Sequence, residues 1–252
     1  MTRELAGAPE HVVDVPRAVA AFAGDAAVVP VWRNLAGGLT FRVGRRPDDD
    51  APSFVKWNPR GSGESLAEEE RRLDWLEGRF RAPRVVASGR DEHGEWLATA
   101  AIEAESAVSP YWSERADAAA RAVAFGLREL HDALDPDDCP FDWGVDARVR
   151  VADRAGARVP ADLREAPPID RLVVCHGDPC APNTLIDRDG RFAGIVDVGR
   201  LGVGDRWADL AVASWSLEWN YGDGHEAAFF DAYGVAPDPA RIVYYRALWD
   251  AT

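Results

Sequence analysis

The sequence contains little cysteine and no long apolar segment. Its 252 residues include three cysteines, Cys139, Cys175 and Cys180, without any C-x-x-C spacing, so neither a disulfide framework nor a zinc site is predicted. No apolar run approaches the ~18 to 20 residues that a membrane span needs, and the N-terminus lacks the basic-then-apolar order of a signal peptide. We therefore expect reduced thiols, no membrane partner and a cytoplasmic location.

Basic residues are also scarce relative to acidic ones. The chain has 29 Lys and Arg against 43 Asp and Glu, a formal net charge of −14. This balance argues against a nucleic-acid partner and is compatible with a cationic ligand, although acidity can also serve solubility alone. With 47% hydrophobic residues, a chain of this length can form one large domain or two lobes.

The first hundred residues predict a small antiparallel sheet with one helix. Segments 28–33, 39–44, 53–58 and 95–102 are rich in β-branched and aromatic residues and are bounded by Gly, Pro and Asp, as strands are. Gly37-Gly38 and the segment RRPDDDAP mark hairpin turns. Helical spacing of Leu66, Leu73, Leu76 and Phe80 predicts a helix from about residue 64 to residue 80.

One acidic residue lies on the apolar stripe of this helix. Glu69 follows Leu66 by three positions and precedes Leu73 by four, and a carboxylate on a buried face is costly unless it meets a cation. The preceding strand offers Lys56, which alternation directs away from Val55. We predict a Lys56–Glu69 pair; the alternatives are a solvated lysine and a solvent-facing glutamate.

Helices dominate after residue 102. Small and apolar residues between Ala116 and Leu134 recur at helical spacing and predict one long amphipathic helix. Residues 141–171 are rich in Pro, Asp and Arg and predict short helices or a loop that covers a site. We therefore divide the chain into an N-terminal lobe that contains the sheet, residues 1–102, and a mostly helical C-terminal lobe, residues 103–252.

The segment VVCHGDPCAPNTLID, residues 173–187, contains candidate catalytic and metal-binding residues. Short strands surround a loop in which Asn183 follows Asp178 by five positions, and Asp197 comes after a later strand. Protein kinases use the same spacing: the aspartate accepts the acceptor's proton, and the asparagine and the later aspartate bind magnesium. Hard oxygen ligands of this kind suit Mg²⁺.

The kinase-like spacing assigns roles to the other candidates. Lys56, held by Glu69, would meet the α- and β-phosphates of ATP. His176 is expected to brace the loop rather than to transfer protons, and Cys180 is expected to be a small apolar filler rather than a nucleophile.

At these residues the chain resembles the aminoglycoside phosphotransferases, particularly the 3'-phosphotransferase and streptomycin 3''-phosphotransferase branches. The similar segments are VVCHGDPCAPN, GIVDVGRLGVGDRWADLAVA, LDWLEGRF and DCPFD. The resemblance implies an α+β, bilobal protein-kinase-like fold with an N-terminal antiparallel sheet and a mostly helical C-terminal lobe. It also implies transfer of the γ-phosphate of ATP (or GTP), with Mg²⁺, to an aminoglycoside hydroxyl, the 3'-hydroxyl first, in a monomer or weak dimer that confers antibiotic resistance.

The resemblance also implies roles for individual residues. Asp178 is the catalytic base, Asn183 and Asp197 bind magnesium, and Asp209 braces the catalytic loop. Residues expected to contact the nucleotide are Lys56, Glu69, the turn glycines Gly37 and Gly38, and the backbone near Thr99 that includes Ala100 and Ala101. Residues expected on the acceptor side are Arg200, Glu218, Asp250 and Thr252, whereas Trp219 and Asn220 stand where many relatives have acids.

Two other functions remain open at this point. The same chemistry can act on streptomycin or on another hydroxylated antibiotic or metabolite, which the shortened segment before H-G-D and Trp219 favour somewhat. A non-catalytic nucleotide-binding relative is the second alternative, and the joint presence of Lys56, Asp178, Asn183 and Asp197 weighs against it. A protein kinase is disfavoured because no activation loop ending in A-P-E fits after Asp197.

Overall fold

Alternating apolar residues build a five-stranded antiparallel sheet in the first of two compact units. The structure, a computed structural model, describes residues 6–9, 11–47 and 49–252. The first unit comprises the described residues up to Glu77 together with Pro83–Ile102, and the second comprises Gly78–Ala82 and Glu103–Thr252. Asp48, in the predicted RRPDDDAP turn, lies outside the described residues.

The sheet of the first unit has the order β1-β2-β3-β5-β4, and every neighbouring pair is antiparallel. Its elements are α1 (Arg17–Ala23), β1 (Val28–Arg33), β2 (Leu39–Val43), β3 (Ser53–Pro59), α2 (Leu66–Leu76), β4 (Val85–Arg90) and β5 (Gly94–Ala100). The four predicted strands are present, and the structure adds α1 and β4. β4 has Ala, Ser and Gly in its middle, residues with weak strand preference, and pairs with β5.

One face of this sheet carries the apolar core of the first unit. Phe41, Val55 and Ala98 lie side by side on β2, β3 and β5 and are fully buried with Val19 of α1. Because successive side chains of a strand point to opposite faces, Lys56 points away from this cluster.

Helix α2 begins as the sequence predicted and ends earlier. Ser65 caps its N-terminus by accepting a hydrogen bond from the amide of Glu68 (3.4 Å). The helix stops at Leu76, because Glu77 has a non-helical ψ of 123° and Gly78 has φ +71°, so the predicted end at residue 80 is wrong. Phe80 instead belongs to the second unit, where its ring centroid lies 5.9 Å from that of Phe192.

The second unit is mostly helical and contains two small sheets, ordered β10-β7 and β6-β8-β9. Its elements are β6 (Glu105–Ser106), α3 (Pro110–Ser113), α4 (Ala116–Ala133), α5 (Val145–Arg154), β7 (Leu172–Cys175), β8 (Thr184–Ile186), β9 (Phe192–Ile195), β10 (Gly202–Asp205), α6 (Trp207–Tyr221), α7 (Glu226–Tyr233) and α8 (Pro239–Ala251). The long helix and the short helices in the 141–171 segment match the prediction. No helix among the described residues is long and apolar enough to cross a bilayer.

Candidate active site

The predicted ion pair of the first unit is confirmed. Nζ of Lys56 lies 2.7 Å from Oε1 and 2.8 Å from Oε2 of Glu69. Glu69 is 5% exposed and shares the buried stripe of α2 with Leu66, Leu73 and Leu76. A carboxylate so buried needs a cation, and the two-oxygen contact fixes where the ammonium group lies.

Lys56 is also the only lysine of the chain, since the other basic residues are all arginines. The two residue types are not interchangeable: an ammonium group is a compact point charge, whereas guanidinium is a wide planar fork. A single ammonium group held by a buried glutamate is suited to meeting phosphate oxygens as a point charge.

The catalytic loop follows β7 and requires glycine at its first bend. Gly177 has φ +83°, and a Cβ atom there would lie 2.1 Å from the carbonyl oxygen of Arg200. Left-handed backbone and this close approach both exclude a larger residue. The loop therefore lies directly against the segment that carries Arg200.

Asp209 of α6 anchors this loop, as the sequence predicted. The amide of His176 donates to Oδ2 (2.6 Å) and the amide of Gly177 donates to Oδ1 (3.0 Å). Nε2 of His131 also bonds to Oδ2 (3.0 Å), and its Nδ1 lies 2.8 Å from the hydroxyl of Tyr233. Asp209 is fully buried and His131 is 2% exposed, so charge-assisted hydrogen bonds in a dry interior hold the loop.

His131 was not among the predicted site residues, although the sequence contains a signal for it. His131 lies four positions after Leu127 and one after Leu130, on the buried side of α4. A histidine on an apolar stripe needs a hydrogen-bonding partner, but only the fold shows that the partner is Asp209. His176 keeps its predicted bracing role, because its Nδ1 accepts from the amide of Asp178 (3.2 Å).

The loop brings Asp178, Asn183 and the Asp197 segment together. Nδ2 of Asn183 donates to the carbonyl oxygen of Asp178 (2.9 Å), and the carbonyl oxygen of Asn183 accepts from the amide of Val196 (3.0 Å). Charge interaction also links the carboxylates of Asp178 and Asp197. The two motifs that the sequence separates by fourteen residues are thus neighbours in space.

Asp178 has the properties expected of a base. Its Oδ1 is shielded from solvent and has no hydrogen-bond partner within the described residues. Burial, and secondly the charge of Asp197, raise the pKa of the Asp178 carboxyl above its ordinary value, while the charge of Arg200 acts in the opposite direction. An unpaired oxygen with an elevated pKa can accept a proton from a hydroxyl group.

The oxygen atoms of Asn183 and Asp197 fit a magnesium ion. Because Nδ2 of Asn183 must face the Asp178 carbonyl to donate, the amide oxygen points the other way. Asp197 is exposed and has φ +62°, the only positive φ among the described non-glycine residues, a conformation that persists where the surrounding structure imposes it. One carboxylate and one amide oxygen, completed by water and phosphate oxygens, meet the preference of Mg²⁺.

The surroundings of Cys180 do not favour a reactive thiolate. Burial and the negative charge of Asp178 raise the pKa of its thiol well above the usual value. The thiol is therefore protonated at neutral pH, and the thiolate is the nucleophilic form.

The backbone amides predicted to contact the nucleotide in the first unit already have hydrogen-bond partners. The amides of Gly37 and Gly38 donate to the carbonyl oxygen (3.3 Å) and Oδ1 (2.5 Å) of Asn34. The amides of Ala100 and Ala101 donate to the carbonyl oxygens of Arg84 and Pro52, both at 2.9 Å. Contact of these four residues with a nucleotide stays a prediction. An amide that also bonded to the nucleotide would have to share its single hydrogen atom between two acceptors.

The predicted acceptor-side residues divide into two groups. The backbone of Arg200 lies against Gly177 and its charge lowers the pKa of the Asp178 carboxyl, while Oγ1 of Thr252 accepts a hydrogen bond from Nη2 of Arg148 (3.0 Å). Glu218 and Asp250 are exposed on α6 and α8, and their contact with an acceptor stays a prediction. No pattern in the sequence indicates Arg148, which the fold buries and places over the same two tryptophan rings as Arg200.

An α+β fold with this loop spacing and this pair of oxygen ligands is typical of protein-kinase-like phosphotransferases. The chain belongs to the phosphotransferase enzyme family, whose sequence pattern matches residues 31–245. It is 33% identical to the aminoglycoside 3'-phosphotransferase of Streptomyces fradiae, over 84% of this chain and 90% of that protein.

Solved structures agree with this assignment. The crystal structure of aminoglycoside-3'-phosphotransferase of type VIII is 32% identical and superposes with a TM-score of 0.80, covering 94% of this chain and 97% of that one. Aminoglycoside phosphotransferase APH(3'')-Id from Streptomyces rimosus, in complex with ADP and streptomycin, is 29% identical with a TM-score of 0.67, covering 91% and 94%. The predicted family and fold class are confirmed, and the chain is an O-phosphotransferase.

Proposed function

We propose that this protein transfers the γ-phosphate of ATP, with Mg²⁺, to a hydroxyl of an aminoglycoside. The 3'-hydroxyl is our first choice for the position that is phosphorylated. The 3'-phosphotransferase of S. fradiae supports the acceptor and position, and the bound ADP of the S. rimosus structure supports the nucleotide. The activity would confer resistance in the cytoplasm, where ATP is available. Residues 1–102 would form the nucleotide-binding lobe and residues 103–252 the catalytic and acceptor-binding lobe.

Asp178 would act as the base in this reaction. As the acceptor oxygen forms its bond to the γ-phosphorus, the bond to the bridging oxygen of ADP breaks, and the hydroxyl proton moves to Oδ1 of Asp178. Lys56, fixed by Glu69, would neutralise the α- and β-phosphates. Asn183 and Asp197 would hold the magnesium ion, which neutralises charge on the transferring group when bound.

The unpaired Oδ1 of Asp178 is the observation that carries this proposal. Neighbouring amides of the loop have a role in holding it: the amides of His176 and Gly177 bond to Asp209, and the amide of Ala181 bonds to Oγ of Ser216 (2.9 Å). A buried carboxylate oxygen left without such a role has its lone pairs available for a proton.

Phosphate transfer to a panel of aminoglycosides tests the proposal. ADP release should depend on kanamycin or neomycin, and NMR of the product should show phosphorus at the 3'-oxygen. Asp178→Asn should lower kcat by about 10²- to 10⁴-fold because it removes the base and preserves the shape. Exposed Asp231 of α7 gives the matched control, and Asp231→Asn should leave kcat unchanged.

Streptomycin is the second candidate acceptor, because the S. rimosus relative binds it. If streptomycin is the only compound phosphorylated, the protein would be assigned to the streptomycin 3''-phosphotransferase branch. The aminoglycoside assignment is wrong if no member of the panel is phosphorylated by folded protein that binds ATP.

A further inference from the structure

Two prolines leave the centre of the catalytic loop with few backbone groups that can hold it in place. Between Asp178 and Asn183 the chain reads Pro-Cys-Ala-Pro, and proline has no amide hydrogen. Only Cys180 and Ala181 can therefore donate a backbone hydrogen bond from this stretch. The group that accepts the Ala181 amide thus helps to fix the distance between the proposed base and the proposed magnesium ligand.

The hydroxyl of Ser216 on α6 accepts this hydrogen bond. The amide of Ala181 donates to Oγ of Ser216 (2.9 Å), and both residues are fully buried. A buried amide without a partner is costly, and burial prevents water from replacing the hydroxyl. The bond therefore holds the centre of the loop to α6.

Helix α6 contacts the loop at two points. Asp209 accepts the amides of His176 and Gly177 at the start of the loop, and Ser216 accepts that of Ala181. Asp209 and Ser216 are seven positions apart, about two helical turns, so they lie on the same side of the helix. The proposed base lies between these two anchored points along the chain.

Asn220 supports the Ser216 hydroxyl from the next turn of α6. Nδ2 of Asn220 donates to the carbonyl oxygen (2.7 Å) and to Oγ (3.1 Å) of Ser216. Because a carbonyl oxygen cannot donate, the group that faces it must be the amide nitrogen. The two hydrogens of a carboxamide nitrogen supply both bonds, whereas a carboxylate has no hydrogen to give. An acid at this position would repel the two oxygen atoms that Asn220 satisfies.

We propose that Ser216 and Asn220 are positioning residues for the phosphate transfer. Through the Ala181 amide they fix the distance between the proposed base and the magnesium ligand that follows it. The proposal rests on the proposed transfer at Asp178, and it assigns Asn220 to holding the loop instead of binding an ammonium group of the acceptor. Loss of these hydrogen bonds should lower kcat and leave the KM of the acceptor nearly unchanged, because misplaced catalytic groups slow the transfer and not the binding.

Ser216→Ala tests the first residue, and Ser214→Ala is its matched control. Ser214 is equally buried on the same helix, but its hydroxyl bonds with Ala211 and Arg246 instead of the loop. With saturating MgATP and the aminoglycoside that is phosphorylated fastest, we expect Ser216→Ala to lower kcat about tenfold or more and Ser214→Ala to stay within about twofold of wild type. Equal kcat values in the two variants, both folded by circular dichroism, overturn the role of Ser216.

Amide hydrogen exchange tests the same contact without any acceptor. We expect the Ala181 amide, followed by NMR, to exchange about tenfold or more faster in Ser216→Ala than in wild type, because it loses its partner. The Gly177 amide, which Asp209 holds, is the internal reference and should change little. Unchanged exchange of the Ala181 amide overturns the proposal. Faster exchange in a protein that phosphorylates no aminoglycoside contradicts the proposed function and supports the contact between Ser216 and the loop.

Asn220→Asp and Asn220→Leu test the second residue, and they keep the proposal falsifiable if Ser216→Ala does not fold. Both substitutions remove the two donor hydrogens at an exposed position, and only the aspartate adds a negative charge. A positioning role predicts that kcat falls about threefold or more in both variants while the KM of the acceptor stays within about twofold. Unchanged kcat in either variant overturns the positioning role, and a lower KM in Asn220→Asp then identifies Asn220 as an acceptor contact.

Discussion

Asp209→Asn tests whether one buried carboxylate holds the catalytic loop. The two oxygens of Asp209 accept three hydrogen bonds, from the amides of His176 (2.6 Å) and Gly177 (3.0 Å) and from Nε2 of His131 (3.0 Å). A carboxamide has one acceptor oxygen and one donor nitrogen. Asparagine can therefore satisfy only one of the two oxygen positions.

The expected loss of stability follows from this geometry. If the amide oxygen takes the Oδ2 position, the bonds from His176 and His131 survive without charge assistance, at a cost of about 1 kcal/mol each. The nitrogen then faces the buried amide of Gly177, whose lost partner costs about 1–3 kcal/mol. The total is about 3–5 kcal/mol, a large part of the ~5–15 kcal/mol that stabilises a typical protein.

Chemical and thermal unfolding measure this loss. For a chain of this size we expect the transition in which the second unit unfolds to fall by roughly 6–20 °C. Asp231→Asn makes the same chemical change at an exposed site of α7 and should have almost no effect. A decrease in unfolding free energy below about 1 kcal/mol for Asp209→Asn would refute the anchoring role.

Three further predictions follow from the site. ATP should protect Lys56 from an amine-reactive label, read by peptide mass spectrometry, because the phosphates cover Nζ; equal protection by adenosine would contradict phosphate contact. As the pH falls through the raised pKa of Asp178, the base becomes protonated and kcat/KM should decline at a higher pH than an ordinary carboxyl near 3.9 would cause. Arg200→Met should move this decline to still higher pH, because the arginine charge favours the carboxylate; an unmoved profile would argue against Asp178 as the titrating base. Asn183→Ala should raise the magnesium concentration for half-maximal rate roughly tenfold, the loss of one contact worth ~1.4 kcal/mol, and an unchanged requirement would remove Asn183 from the ligand set.

The spacing of apolar residues predicted those helices and strands whose own sequence shows which side is buried. Alternation located β1, β2 and β3, and helical spacing put Glu69 on the buried side of α2, from which its pairing with Lys56 followed. The end of α2 was misplaced because Phe80 continues the apolar spacing although Gly78 breaks the helix. β10 was not predicted, since Gly202–Asp205 has two glycines and becomes a strand by pairing with β7.

The sequence alone determined the reaction class, because the five-residue spacing of Asp178 and Asn183 and the later Asp197 are properties of the chain itself. Only the tertiary structure decided the surroundings of these groups. Arg148 and Thr252 are 104 positions apart and hydrogen bonded, and His131 reaches Asp209 across 78 positions. Burial, charge repulsion and hydrogen bonds depend on distance through space, which no local pattern records.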